Sequence, residues 1–303
     1  MDTSSQGMLA YAAPSFFQPH RARDAVRDAY KGRIPPLLGY YAGLSSIPIT
    51  RAVAPMNFDC VWIDWEHTAC NVETMTTMVH ETIFMSQGRT IPWVRVPGHD
   101  HANIGYALDA GASIIVPQVE TVEQAKHVMA STKFGTRSNG NRSVPPFRLM
   151  PQLADMSLTP GRDLHQGLND QAAVMIQIES LEGINNLDAI LTEVPEIDIV
   201  WLGSVDARVS MNFPANLGVG DEPEWIQARE KFFEIAKKHD KPVGGHCFEV
   251  LRGTIQPLQK LAERLSFIIM TVDVFHLMKM EDDLKEARDL FRRPATRTET
   301  SDS

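Results

Sequence analysis

Eight short apolar runs, separated by helical patterns or by helix-sized gaps, constrain this chain more than any other feature. The runs cover residues 37–42, 60–64, 92–96, 113–119, 174–179, 197–202, 242–245 and 267–272. They are mostly β-branched or aromatic without strict alternation, which is typical of strands buried on both faces of a parallel sheet. An eightfold βα alternation favours a TIM (β/α)8 barrel, an α/β fold, over an open doubly wound sheet. The chain contains no GxGxxG or GxxxxGK[ST] motif that would favour the open sheet.

The remaining segments predict one domain with an extra N-terminal helix. We expect a flexible tail over 1–20, a single barrel domain over 21–292 and a disordered tail over 293–303. Helices are expected at 21–32, 103–110, 121–131 and 222–239. Thr121 and Gln124 have the spacing of a capping box at the start of one of them. The irregular segment 132–170 is expected to lie over the catalytic face, because it follows the fourth strand.

Charge and cysteine usage exclude several classes of protein. The net charge is −9, and the 29 lysines and arginines form no dense basic run, which argues against nucleic-acid or anionic-membrane partners. No apolar run reaches the roughly 18 residues that a membrane helix needs. Cys60, Cys70 and Cys247 lack CxxC spacing, so we expect reduced thiols in a cytoplasmic protein.

Charged residues stand at the ends of the second and third apolar runs. In an α/β barrel, catalytic residues project from the carboxyl ends of strands. Asp64, Glu66 and His67 follow the second run, and an aspartate beside a histidine suits a general base, although a charged surface loop remains the alternative. Arg95 lies within the third run, where it needs either a structural carboxylate partner or an anionic ligand.

Carboxylates also end the fifth and sixth runs. Gln177 and Glu179 are two residues apart, so both point to the same side of their strand. Asp206 follows the next run. Two carboxylates on neighbouring strands form a hard-oxygen site that suits Mg²⁺, with Mn²⁺ or Co²⁺ as alternatives. His246, which ends the seventh run, is interpreted as pocket wall, because nothing else in the spacing supports a zinc site.

Five motifs resemble the HpcH/HpaI aldolase family of metal-dependent class II pyruvate aldolases. They are IDWEH (63–67), VRVP (94–97), DAGASIIVPQVET (109–121), QIESLEGINNLDAI (177–190) and LGSVD (202–206). The resemblance covers about 35–275, and NRSVPPF (141–147) is more similar to a fungal biosynthetic member than to bacterial aldolases. It implies a TIM barrel and a homo-oligomer, commonly a hexamer, in which protomers exchange the C-terminal helix.

The resemblance also implies roles for individual residues. Glu179 and Asp206 match the family's metal carboxylates, and Arg95 matches the arginine that contacts the oxygen of a 2-oxo acid and its enolate. His67 and Asp64 match a His–Asp pair that serves in base catalysis.

The substrate pocket matches less closely. Gln177 matches a pocket glutamine, and the backbone from Gly203 through Ser204 to Val205 matches the turn that holds the substrate carboxylate. The family usually has Gly-Pro before its metal aspartate and Leu after it, whereas this chain has Gly-Ser-Val before Asp206 and Ala after it. Gln118 stands where the fungal member has a histidine, and a glutamine cannot shuttle a proton.

The function expected from these residues is that of a metal-dependent carbon–carbon lyase that works through a pyruvate enolate. Its ligand would be a small 2-oxo acid, and it would cleave or form 4-hydroxy-2-oxo acids, decarboxylate oxaloacetate, or do both. One alternative is a biosynthetic enzyme that couples the enolate to a conjugated acceptor. Another is a non-catalytic barrel retained as a binding protein.

Overall fold

Eight parallel strands close into a barrel in chain order, which confirms the TIM-barrel prediction. The structure is a computed structural model that describes residues 6–13, 15, 18–150, 161–247 and 257–292. The strands are β1 (Leu37–Ala42), β2 (Cys60–Asp64), β3 (Ile91–Arg95), β4 (Ser113–Val116), β5 (Val174–Ile178), β6 (Ile199–Leu202), β7 (Val243–His246) and β8 (Phe267–Val272). The pairing of β8 with β1 closes the sheet.

Helices surround this barrel in the part of the chain that the structure describes. They are α1 (Ala22–Tyr30), α2 (Ile47–Val53), α3 (Val72–Met85), α4 (His101–Asp109), α5 (Val122–Thr132), α6 (Leu164–Gln171), α7 (Leu181–Glu193), α8 (Ser204–Ser210), α9 (Pro223–Lys238), α10 (Pro257–Leu261) and α11 (Asp273–Arg292). None of those helices is both long enough and apolar enough to span a membrane.

Strand β4 is shorter than the sequence predicts. It ends at Val116 rather than at residue 119. The next residue, Pro117, has no backbone N–H for the ladder, and Gln118 has a φ of 50°, which is not a strand conformation. The chain therefore leaves the sheet early, at the end of the barrel where the charged strand ends lie.

The apolar residues form two separate clusters. One lies between the strands and the outer helices, and the other fills the barrel interior with Trp62, Trp93, Trp201 and Phe267. Residues of α1 and of the short 3₁₀ helix Gly7–Tyr11 belong to the interior cluster. These N-terminal elements therefore close the barrel at the amino-terminal ends of its strands.

Part of 1–20, for which the sequence predicts a flexible tail, packs against the barrel in the structure. Tyr11 is buried, and its hydroxyl donates to Asp28 at 2.7 Å. His20 is also buried, with its Nε2 2.9 Å from the carbonyl oxygen of Gly88. The described part of 6–20 is thus ordered, because burial of its apolar residues completes the barrel interior. The other expected tail, 293–303, lies outside the described residues.

The long segment 132–170 lies at the opposite end of the barrel from the expected lid position. Helix α5 follows β4 and runs back, so the segment starts at the amino-terminal face. There Arg142 pairs with Asp109 at 2.5 Å, and the Phe134 N–H donates to Asn169 at 2.8 Å. The lid prediction was therefore wrong for the described residues, because it omitted the reversal of direction by α5. Residues 151–160 lie outside the described residues.

Candidate active site

Arg95 and Asp64 form a buried ion pair at the carboxyl end of the barrel. They are register partners on β3 and β2, which places their side chains together. Arg95 Nε and Nη2 donate to the two Asp64 oxygens at 2.9 and 2.8 Å. The Tyr41 hydroxyl on β1 donates to Asp64 Oδ2 at 2.6 Å and accepts from Arg95 Nη2 at 2.7 Å. Three adjacent strands thus hold the guanidinium in one orientation.

The Asp64 side chain bonds to Arg95 and Tyr41 rather than to the side chain of His67. Burial acts to raise the pKa of Asp64, but hydrogen bonds from Arg95 and Tyr41 outweigh it and lower the pKa. Towards His67, the Asp64 side chain makes only a long 3.5 Å contact with the backbone N–H. The expected side-chain pair between Asp64 and His67 is not formed, because the guanidinium and the phenol already engage both carboxylate oxygens.

Glu66 is the carboxylate that lies next to His67. Its Oε2 is 3.5 Å from His67 Nε2 and 3.2 Å from Arg95 Nε. The histidine side chain is 67% exposed, whereas Glu66 is largely covered. Burial raises the pKa of Glu66, with Arg95 opposing this and nearby Asp64 and Asp206 adding to it. Glu66 therefore links the buried arginine to the exposed imidazole.

Glu179 lies just after β5 and is held by two donors. The Gln118 backbone N–H donates to its Oε2 at 3.0 Å, and Gln177 Nε2 donates to its Oε1 at 3.1 Å. The structure therefore brings Gln177 and Glu179 together on one side of the strand, as their spacing predicts. The Gln118 side chain itself is exposed.

The turn after β6 brings the second carboxylate near Glu179. Asp206 is exposed in the first turn of α8, with half-buried Ser204 and Val205 before it. A Cβ on Gly203 would lie 2.5 Å from Glu179 Cγ, so this close approach requires glycine. Burial, followed by the charge of Asp206, raises the pKa of Glu179 to about 7.

The donor atoms at this point of the site fit a hard divalent cation. A buried carboxylate whose ionisation is opposed by burial and by a second carboxylate is stabilised by an added positive charge. In addition, Gln177 Oε1 is buried without a hydrogen-bond partner among the described residues. The described residues contain no group of three or more His, Cys, Asp or Glu side chains around one point. Protein ligation would therefore come from Glu179 and Asp206, with other positions left to water or substrate oxygens.

Aromatic rings form the floor of the site. Trp62 packs edge-on against Trp201 with ring centroids 4.9 Å apart, and Arg95 lies 5.5 Å above the Trp62 ring. His246 lies 4.8 Å from Trp201, and burial lowers its pKa to about 3, with the charge of Arg95 adding to this effect. His246 is thus a neutral wall residue. This floor keeps water from below the guanidinium.

Two residues of the site were not assigned from the sequence. Tyr41 resembles any other aromatic residue in an apolar strand, and only its hydrogen bonds to Asp64 and Arg95 distinguish it. Glu66 was noted at a strand end but was given no function, because its neighbours His67 and Asp64 matched a familiar pair. The signal that could have found Tyr41 is its hydroxyl, which needs a partner when the ring is buried.

Comparisons with known proteins place the chain in a family. The family model for HpcH/HpaI aldolase/citrate lyase matches residues 37–279. The 5-keto-4-deoxy-D-glucarate aldolase of Enterobacter sp. (strain 638) is 30% identical over 68% of this chain and 76% of its own length. The 4-hydroxy-2-oxo-heptane-1,7-dioate aldolase of Salmonella paratyphi B is 32% identical over 64% of this chain and 70% of its own length.

Solved structures support the same assignment. Macrophomate synthase, the biosynthetic member that residues 141–147 resemble, has a TM-score of 0.83 and 30% identity, with 92% of this chain and 93% of that chain covered. An HpcH/HpaI family protein from Burkholderia cenocepacia J2315 has a TM-score of 0.72 and 25% identity, with 88% and 99% covered. The alternative of a non-catalytic barrel is set aside, because the curated relatives are aldolases. The chain is a member of the HpcH/HpaI aldolase/citrate lyase family and a carbon–carbon lyase.

Proposed function

We propose that this enzyme is a divalent-metal-dependent lyase that makes and uses the enolate of pyruvate. The observation that carries the proposal is that two carboxylates, buried Glu179 and Asp206, lie near each other after neighbouring strands, close to Arg95. A bound Mg²⁺, or Mn²⁺ or Co²⁺ in its place, would act as a Lewis acid towards the keto oxygen of the 2-oxo acid. The names of the curated relatives support a 4-hydroxy-2-oxo acid as substrate.

Arg95 would stabilise the negative charge that develops on the keto oxygen. Its hydrogen bonds to Asp64 and Tyr41 use Nε and Nη2, so Nη1 would be the donor for a ligand. The pairing with Asp64 and Tyr41 fixes the guanidinium before the substrate binds, so the site has little reorganisation to complete during the reaction. Asp64 in this proposal orients Arg95 and does not transfer a proton.

His67 would move the proton at the methyl carbon of pyruvate. It is exposed at the mouth of the site, with Glu66 beside its Nε2. Enolate formation from pyruvate requires a base, whereas loss of CO2 from oxaloacetate yields the enolate without one. Residues Gly203, Ser204 and Val205 would bind the substrate carboxylate through their backbone, and Gln177 would line the pocket.

The first test replaces each proposed metal carboxylate. Glu179→Gln and Asp206→Asn should each lower Mg²⁺-dependent oxaloacetate decarboxylation by on the order of 100-fold or more. They should also abolish the rise in melting temperature that Mg²⁺ produces in the wild-type enzyme, since a cation that binds only the folded state stabilises it. Wild-type turnover or an unchanged Mg²⁺ response in either variant would contradict the metal assignment.

A second arm of this test separates proton transfer from enolate stabilisation. His67→Ala should slow aldol cleavage of a 4-hydroxy-2-oxo acid more than it slows oxaloacetate decarboxylation, because only cleavage needs proton transfer by the protein. Equal losses in the two reactions would argue against His67 as the proton-transfer residue.

Coupling of the enolate to a conjugated acceptor is the second candidate function. The structural similarity to macrophomate synthase favours it, and Gln118 in place of a histidine counts against it. Product analysis after incubation with oxaloacetate and a conjugated acceptor separates the candidates, since coupling yields an adduct and decarboxylation alone yields pyruvate.

We further propose that the enzyme works as a cytoplasmic homo-oligomer, a hexamer in which protomers exchange α11. The exposed apolar residues of α11 support the exchange, because an isolated helix with such a face would be covered in an assembly. The three cysteines are free thiols, which supports a reducing compartment. Residues 21–292 would then form a single catalytic domain.

A further inference from the structure

A polar pocket of about 350 Å³ lies beside Glu179, between the loops that follow β3 and β4. The first loop contributes His99 and Asp100, the second contributes Gln118 and Glu120, and the first turn of α5 adds Gln124. Both loops follow the carboxyl ends of their strands, so the pocket opens on the same face of the barrel as the site described above.

Gln118 connects this pocket to the proposed metal site. Its backbone N–H donates to Glu179 Oε2 at 3.0 Å, while its side chain is exposed in the pocket. The residue has a φ of 50°, a left-handed conformation that non-glycine residues rarely adopt and that clusters at functional sites. The left-handed backbone lets one residue hold the carboxylate and face the pocket at once. A molecule in the pocket would therefore lie next to a 2-oxo acid bound at Glu179.

The two loops are fastened to each other, so the pocket is already formed. His99 Nε2 lies 2.7 Å from the carbonyl oxygen of Pro117. Asp100 caps α4 by accepting from the N–H groups of Ala102 and Asn103. Glu120 accepts a hydrogen bond from the hydroxyl of Ser180. These bonds hold the wall in place without any ligand.

The charge of the pocket restricts what it can bind. Asp100 and Glu120 bring two carboxylates, and no lysine or arginine lies among the described residues that line it. Within the described part of the chain, the partners of these two side chains are the backbone N–H groups of Ala102 and Asn103 and the hydroxyl of Ser180, none of which carries a positive charge. Arg95 does not line the pocket, and it is paired with Asp64 and Glu66. An anionic group entering the pocket would meet like charges and no cation among its lining residues, which is unfavourable.

We propose that this pocket is the aldehyde subsite of the lyase and that it accepts an uncharged, polar aldehyde in preference to one that carries a carboxylate. The inference rests on the proposed function. In the synthetic direction, the methyl carbon of pyruvate loses a proton and bonds to the aldehyde carbon, and the aldehyde oxygen takes up a proton. No further reactant is consumed. The amide of Gln118 donates to and accepts from the polar groups of the aldehyde.

The test compares two aldehydes that differ only in charge, 4-oxobutanoate and its methyl ester. The rate of addition of pyruvate to each is measured with wild-type enzyme, saturating pyruvate and Mg²⁺. The value of kcat/KM for the ester should exceed that for the anion by on the order of 10-fold. Equal values, or a preference for the anion, overturn the inference and leave the proposed function intact.

Gln118→Arg should remove the preference for the ester, because it adds a cation to the pocket and leaves the backbone N–H to Glu179 in place. We expect the ratio of kcat/KM for the anion to that for the ester to rise by on the order of 10-fold, whatever the variant does to the rates of both. Gln87→Arg is the matched control, since Gln87 is also exposed and also has a positive φ, of 56°, but lies at the opposite face. An equal response in the two variants contradicts the inference.

Glu120→Gln provides a second variant should Gln118→Arg fold poorly. Removing one carboxylate should raise kcat/KM for the anion relative to the ester, and an unchanged ratio contradicts the inference. If the wild-type enzyme adds pyruvate to neither aldehyde but decarboxylates oxaloacetate, the aldolase part of the proposed function is wrong and the inference falls with it.

Discussion

At the residue scale, Asp64 and Tyr41 orient Arg95 together, with Glu66 3.2 Å from its Nε. Asp64 accepts from both Nε and Nη2, and the Tyr41 hydroxyl closes a ring between Arg95 and the same carboxylate. Desolvation raises the pKa of Tyr41 strongly, so the phenol stays protonated and donates. The ring explains how a guanidinium can be buried at a site and still be held ready for a ligand.

Tyr41→Phe should therefore lower kcat/KM for oxaloacetate decarboxylation by about 10-fold, the equivalent of about 1.4 kcal/mol for one charge-assisted hydrogen bond. Tyr40→Phe is the control, since Tyr40 packs in the outer cluster and its hydroxyl bonds to Asp273 instead. That variant should keep its activity while losing some stability. Steady-state kinetics and thermal melting distinguish the two, and similar kinetic losses in both would refute the role given to Tyr41.

The pKa of buried His20 is the basis of a pH prediction. Burial lowers it to about 4 from an ordinary value of 6.5, with a hydrogen bond to Gly88 opposing the shift. The folded protein thus prefers neutral His20, so its contribution to stability is complete above about pH 6.5 and is lost as pH falls towards 4. Between pH 7.5 and 4.5, the loss should amount to about 2 to 3 kcal/mol.

His20→Gln should remove that part of the acid sensitivity. The free energy of unfolding, measured by urea titration at several pH values, should fall less steeply in the variant below pH 6.5. Parallel pH profiles for the two proteins would mean that His20 is not buried as a neutral side chain.

At the scale of elements, local signals predict where most helices and strands begin. Three strands have the expected bounds, because an apolar run between turn residues carries this information in its own composition. The start of α5 is also local: the side chain of Thr121 accepts from the Gln124 N–H, and that of Gln124 accepts from the Thr121 N–H. Local sequence does not predict where the segment after α5 lies, since its position depends on which end of the barrel the helix reaches.

Thr121→Ala should destabilise the protein by about 1 kcal/mol, because the capping oxygen of α5 is lost. Thr121→Ser keeps an oxygen at the same position and should cost less. The free energies of unfolding in urea provide the comparison, and a serine variant as unstable as the alanine variant would show that the methyl group, not the cap, matters.

At the scale of the whole molecule, α11 is the element that the barrel leaves uncovered. Leu277, Met280, Leu284 and Phe291 follow one another at intervals of three, four and seven residues, and all are at least 50% exposed. This spacing puts them on one side of the helix, the pattern that packs against another helix. An assembly that covers this stripe would explain why the chain retains it.

Leu284→Asp should therefore reduce the mass of the protein in solution, measured by light scattering, from that of an oligomer towards that of a monomer. Lys285→Asp changes charge at the adjacent, equally accessible position and should leave the mass unchanged. A wild-type protein that is already monomeric would disprove the exchange of α11.

The sequence alone determined the barrel, the charged residues at the strand ends and the family, because each depends on local periodicity or on short motifs. Only the tertiary structure decided that Asp64 pairs with Arg95 rather than with His67, that Tyr41 completes that pair, and that 132–150 lies at the face opposite the site. The physical reason is that a polar atom bonds to whichever donor or acceptor comes within about 3 Å of it. Distances on that scale are set by strand register and helix direction, which no single stretch of sequence contains.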